Sequence, residues 1–173
     1  MKFRFALAIA ATSLGTAQAQ QYPVKPIRII APFTAGGPVD ISARILAQRL
    51  TETWGQQVVV DNRAGASGTI GGDLVAKALP DGYTVLLTSS AHVITPSILP
   101  KVPYDPIRDF AAVSGIGQAS LVLLANAGVG VKTLAELVAR AKANPGKLNI
   151  GIASAGSAGH IAWEFFRQST GAN

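Results

Sequence analysis

The stretch "IIAPFTAGGPVD", residues 29–40, decides the fold. A run rich in β-branched residues ends in Thr34-Ala35-Gly36-Gly37, and Pro38 follows at once. Glycine lets the backbone turn sharply, and proline is pre-set for the first position of a helix, so the segment reads as strand, bare turn, helix.

Along the rest of the chain the period of the apolar residues alternates between strand-like and helix-like segments, which predicts an α/β sheet with parallel strands and crossover helices. "IRIIAPF" is the first strand. A helix over Pro38 to Trp54 follows, with Ile41, Ile45, Leu46, Leu50 and Trp54 expected on its apolar face and Gly55 closing it. "QQVVVDN" is the second strand, and after "RAGASGT" a helix runs through Leu79 to the stop at Pro80-Asp81-Gly82. "YTVLLTSS" is the third strand, and a helical piece from about Ala91 to Leu99 comes next. In "PKVPYDPIRDF" the prolines Pro100, Pro103 and Pro106 exclude a helix or a central strand, so this segment reads as a crossing between lobes. Beyond it, "AAVSGIGQASLVLLANA" predicts two strands. Thr133 and Glu136 form a capping box for a helix with the stripe Leu134, Leu137, Val138 and Ala141. "KLNIGIAS" predicts a further strand, "SAGSAG" its loop and "HIAWEFFRQST" the closing helix.

"MKFRFALAIAATSLGTAQA" has the layout of an export signal: Lys2 and Arg4 at the start, an apolar run from Phe5 to Leu14, and Ala17-Gln18-Ala19 as cleavage site. That run is shorter than the roughly 20 residues needed to span a bilayer. Cleavage after Ala19, a periplasmic location and no transmembrane segment in the mature chain are therefore expected. The chain has no cysteine, which excludes disulfides and thiolate metal sites. Without Lys2 and Arg4 its net charge falls from +6 to about +4, spread along the chain. No basic stripe or aromatic stacking platform is present, so nucleic acid is not an expected partner, and the mild positive field suits a small anion.

Three times a strand runs through a Gly-rich loop into a helix: "TAGGPVD" at 34–40, "NRAGASG" at 62–68 and "SAGSAG" at 154–159. Small residues admit a ligand close to the backbone, and the free N–H groups of a helix start are ready donors to a carboxylate or phosphate. In open parallel sheets such loops gather at the carboxyl edge, where ligands bind. Asp40 either fixes its loop through backbone N–H groups or meets an amino group on a ligand; Arg63 either attracts the anion or ties to an acid. Ala155-x-Ser157-x-Gly159 resembles a relaxed nucleophile elbow, but only His160 and Glu164 follow it as potential partners, and His160 reads as a loop-bonding residue at a helix start. His92 reads as a surface or loop residue, and two histidines without clustered carboxylates leave no expected metal site or cofactor. "GVGVKT" lacks the glycine that a phosphate loop places before its lysine. Rich in binding edges and poor in reactive groups, the sequence favours a receptor over an enzyme.

The spaced motifs "YPVKPIRIIAPFTAGGPVD", "GQQVVVDNRAGASGTIGG", "KALPDGYTVLL", "YDPIRDF" and "HIAWEFF" resemble the Bug family, the periplasmic substrate-binding receptors of tripartite tricarboxylate transporters. The resemblance implies a type II periplasmic-binding-protein fold of two lobes with mainly parallel sheets, closing on a small organic anion and serving membrane transporter subunits. It divides the chain into the signal peptide 1–19, a first lobe over 20–104 and an incomplete second lobe over 105–173, since family members are longer. It also implies ligand contacts from Phe33, Thr34, Ala35, Gly36, Gly37 and Asp40 in the first loop. Asn62, Gly65, Ala66, Ser67 and Gly68 are implied in the second, and Ser154, Ala155 and Ser157 in the third. "SAGSAGH" is two residues shorter than the family form S-x-G-x-G-S-x-x-H. A periplasmic ligand sensor feeding a signalling partner would use the same cleft.

Overall fold

The computed structural model describes residues 21–172, so the expected leader and its cleavage after Ala19 lie outside the described residues. Strands β1 (Ile27–Ala31), β2 (Val58–Asn62) and β3 (Thr84–Leu86) form a parallel sheet in the order β2-β1-β3. Ile29 of β1 stands opposite Val60 on one side and Val85 on the other. Central in the sheet, β1 is buried on both faces, and Ile29 and Ile30 are at most 1% exposed.

Helix α1 (Pro38–Trp54) starts and stops where the sequence predicts: Gly37 is the extended N-cap, and Gly55 closes the last turn at φ 66° with its N–H donating to Thr51. The buried face is only partly the expected one: Leu46 and Leu50 pack against the core as predicted, but Ile41 and Ile45 do not. Ala43 and Ala47, flanked by Val39, Leu46 and Leu50, pack on Ile27, Ile29 and Val58, whereas Ile41 and Ile45 are 51% and 61% exposed. Two alanines give the helix a flat surface on which it lies close to the sheet, and the bulkier isoleucines fall outside that contact.

Helix α2 (Thr69–Ala76) packs on β1 and β3 and stops short of the expected Leu79, which is exposed. Two glycines set its approach. A Cβ at Gly71 would lie 2.7 Å from Cβ of Pro32, and one at Gly72 would lie 2.6 Å from the Tyr104 ring. Tyr104 belongs to the proline-rich crossing and is buried against α2. It stacks on His92 of α3 (Ala91–Ile94) at 5.4 Å, and Phe110 meets both rings edge-on. His92 is thus part of an aromatic anchor rather than a free surface residue, and burial holds its pKa below the usual imidazole value against the opposing hydrogen bond to Pro106. At the other end of the sheet Tyr22, Trp54 and Tyr83 pack together, with the Tyr22 hydroxyl donating to the Gly82 carbonyl at 2.7 Å.

Past the crossing, the expected strands do not form among the described residues. Residues 111–126 form no regular secondary structure, pair with no strand and are exposed throughout, and Ile150 and Ile152 in "KLNIGIAS" are also exposed. A strand satisfies its backbone groups only against a neighbouring strand, so β-propensity alone leaves these segments as open chain. The two helices expected here do form, as α4 (Leu134–Ala143) and α5 (Ala158–Thr170). Thr133 caps α4 by accepting from the Glu136 N–H, while the Glu136 carboxylate reaches back to the Lys132 N–H, one residue earlier than the capping-box pattern places it. In α5 Trp163 stacks on Phe166.

Candidate functional site

The carboxyl ends of the strands carry the first two Gly-rich loops, and a buried polar clamp joins them. Asp40, 3% exposed in the first turn of α1, accepts from the Gly36 N–H at 2.8 Å, from the Arg44 guanidinium at 3.0 Å and from the Asn62 amide at 3.0 Å. Asn62, the last residue of β2, also donates to the Phe33 carbonyl at 3.2 Å, and its oxygen accepts from Arg44 at 3.1 Å. The Arg44 hydrogen bond and then the Gly36 N–H, helped by Asn62 against the cost of burial, bring the Asp40 carboxyl down to about 2. Asp40 and Asn62 are therefore engaged within the loop frame, and Thr34, Ala35 and Gly36 are its exposed tip. Arg63 pairs with Asp61, which Arg28 also holds; Arg28 and then Arg63 lower the Asp61 pKa.

Among the described residues, the non-glycine residues with positive φ both lie in the second loop. Gly65, Ala66, Ser67 and Gly68 all have positive φ, 134°, 45°, 55° and 92°, and the Gly68 N–H closes the turn on the Gly65 carbonyl at 2.9 Å. A non-glycine residue in the left-handed region costs about 1–2 kcal/mol, so Ala66 and Ser67 are held there by their surroundings. Phe33 of the first loop lies over Gly68, where a Cβ would sit 3.4 Å from the ring.

The third loop reaches the second through a residue that sequence reasoning did not single out. Thr95, 1% exposed in the short 3₁₀ turn after α3, points its hydroxyl at the Ser67 carbonyl, 3.5 Å away. On its other side lies Gly156, at φ 78°, where a Cβ would stand 3.0 Å from the same hydroxyl. No sequence pattern marks a threonine that faces two backbones distant along the chain; only the fold brings them together. Ser157 caps α5 by accepting from the His160 N–H at 3.2 Å, and the His160 Nδ1 accepts from the Gly156 N–H at 3.2 Å, so the histidine bonds its own loop as expected. Ser154 and Ser157 are half-buried and Ala155 is exposed.

The structure thus brings the three loops together: the first onto the second through Asn62 and the Phe33 ring, the second toward the third through Thr95. They carry the starts of α1, α2 and α5, whose N–H ends favour negative charge. Among the described residues no group of three His, Cys, Asp or Glu side chains is placed to hold a metal ion. Nor is any described helix long and apolar enough to cross a membrane.

Residues 42–173 match the family described as tripartite tricarboxylate transporter family receptor. Protein BugT of Bordetella pertussis is 43% identical over 89% of this chain and 48% of its own length. Among solved structures, Rpa4515 of R. palustris with adipate is 33% identical with a TM-score of 0.78, over 88% of this chain and 52% of that one. MatC of Rhodopseudomonas palustris with bound malate is 29% identical with a TM-score of 0.77, over the same shares. The chain spans about half the length of the relatives it matches.

Proposed function

The chain belongs to the tripartite tricarboxylate transporter receptor family, a family of receptors rather than enzymes, and on that premise we propose that it captures a small carboxylate for a membrane transporter of that type. It does so in the periplasm, after removal of the leader at Ala19, with a first lobe over 20–104 and the loop at 154–157 contributed by a second. The observation that carries this reading is the convergence of three loops whose exposed tips are small residues at helix starts. The ligand's carboxylate meets the backbone at Thr34–Gly37 and Ala66–Gly68 and is completed by Ser154 and Ala155, while Asp40 and Asn62 act by holding the first loop in shape. A helix end contributes about 0.3–1 kcal/mol and micromolar affinity needs about 8 kcal/mol, so direct and water-bridged hydrogen bonds to the loop backbone supply most of the binding. Malate bound to MatC and adipate bound to Rpa4515 support a dicarboxylate as the first ligand to try.

The test is thermal unfolding of the chain in the presence of malate, adipate, tricarboxylates, amino acids and aromatic acids. A ligand at 100 times its Kd stabilises by about 2.7 kcal/mol, which is visible as a raised Tm. If none of these acids raises it, the receptor reading falls. Capture of membrane subunits by the loaded protein separates delivery to a transporter from delivery to a signalling partner.

A further inference from the structure

We propose that Thr95 is the positioning residue that sets the spacing between the second and third loops, and that Gly156 is glycine both for its φ of 78° and because a Cβ there would crowd the Thr95 hydroxyl. The inference rests on the carboxylate-receptor reading only for its ligand readout. One hydroxyl, in a residue 1% exposed, stands 3.5 Å from the Ser67 carbonyl and 3.0 Å from where a Gly156 Cβ would sit. Its own segment is rigid at that point, because the Thr95 carbonyl accepts from both the Ile98 and Leu99 N–H groups. Ile98 flanks the same spot, its Cδ1 3.6 Å from that Cβ position. The Ser67 backbone is itself in the left-handed region at φ 55°, so a shift of Thr95 acts on a turn already held against its preference. The distance between the two backbones that meet at Thr95 fixes how far the Ala66–Gly68 tip stands from Ser154 and Ala155. Thr95 therefore acts on a bound anion without touching it.

The test combines a covalent and an energetic readout. The chain has no cysteine, so Thr95→Cys together with Gly156→Cys offers only one disulfide within the chain, which is expected to form in the monomer on mild oxidation of the dilute ligand-free protein. Thr95→Val keeps the shape and removes the donor. It is expected to lower the Tm by at most a few degrees, because the contact at 3.5 Å is long for a hydrogen bond, while weakening malate or adipate binding about 3- to 10-fold through the displaced Ala66–Gly68 tip. Gly156→Ala is expected to weaken binding roughly tenfold or more, and adding Thr95→Ala, which removes the clashing oxygen, to restore part of that loss. Failure of the cysteine pair to cross-link in a folded protein overturns the proposal, as does strict additivity of Thr95→Ala and Gly156→Ala in Tm. If neither acid binds the parent chain, the receptor reading fails, and the cross-link and the additivity in Tm still decide the role of Thr95.

Discussion

Asp40 gathers Gly36, Arg44 and Asn62 around one carboxylate, and the pH dependence of folding should report it. Its folded pKa of about 2 lies below the unfolded value of about 3.9, so its contribution is complete above roughly pH 4 and is lost as pH falls toward 2. At neutral pH Asp40→Asn is expected to melt below the parent chain, with the gap closing across that acid window; parallel Tm curves from pH 6 to 2 would contradict it. A second prediction concerns the strained turn. Ala66→Gly removes a left-handed cost of about 1–2 kcal/mol and adds about 0.5–1 kcal/mol of chain entropy, so urea unfolding should show no loss and up to about 1.5 kcal/mol of gain. The glycine density of the loops announced bare turns at the right places. Nothing in "AGASG" announced that Ala66 and Ser67 adopt positive φ, because neither residue type prefers it, and the role of Thr95 leaves no local trace at all.

At the level of elements, α1 shows which signals travel from sequence to structure. Its limits were legible because Pro38 and Gly55 act through their own backbone geometry. Its buried face was legible only in part: Leu46 and Leu50 pack on the core as the apolar period predicts, but that period does not distinguish a helix that packs chiefly through alanine. Ile41→Lys and Ile45→Lys should therefore lie within about 0.5 kcal/mol of the parent chain, whereas Ala43→Leu should cost about 1–3 kcal/mol by overpacking Ile27 and Ile29. Denaturant midpoints of the three variants decide this, and a stable Ala43→Leu would refute the observed packing. On α5, Ser157→Ala removes the N-cap and should cost about 1 kcal/mol. As the residue is a cap rather than a nucleophile, the parent chain should show no ester turnover for this change to abolish.

Across the whole molecule, order is unevenly distributed. The sheet with α1, α2 and the aromatic anchor is cross-tied by the core and the Asp40 clamp, while Val113, Val122 and Leu124 stand 89%, 77% and 84% exposed on chain without regular secondary structure. A protease of broad specificity should therefore make its first cut within 111–126 and leave the sheet and its helices intact; early cutting within β1 or α1 would contradict this distribution. The strands expected here were over-read because a run such as "SLVLLANA" carries β-propensity but cannot supply the partner on which a sheet depends. The two tryptophans fall on either side of this divide, Trp54 beside Tyr22 at the end of α1 and Trp163 on Phe166 in α5. Each is a natural optical probe of its own half: the tryptophan emission of a Trp54→Phe chain would come only from α5 and that of a Trp163→Phe chain only from the end of α1. Two fluorescence melts, without any added dye, would then reveal whether the halves come apart together or in turn.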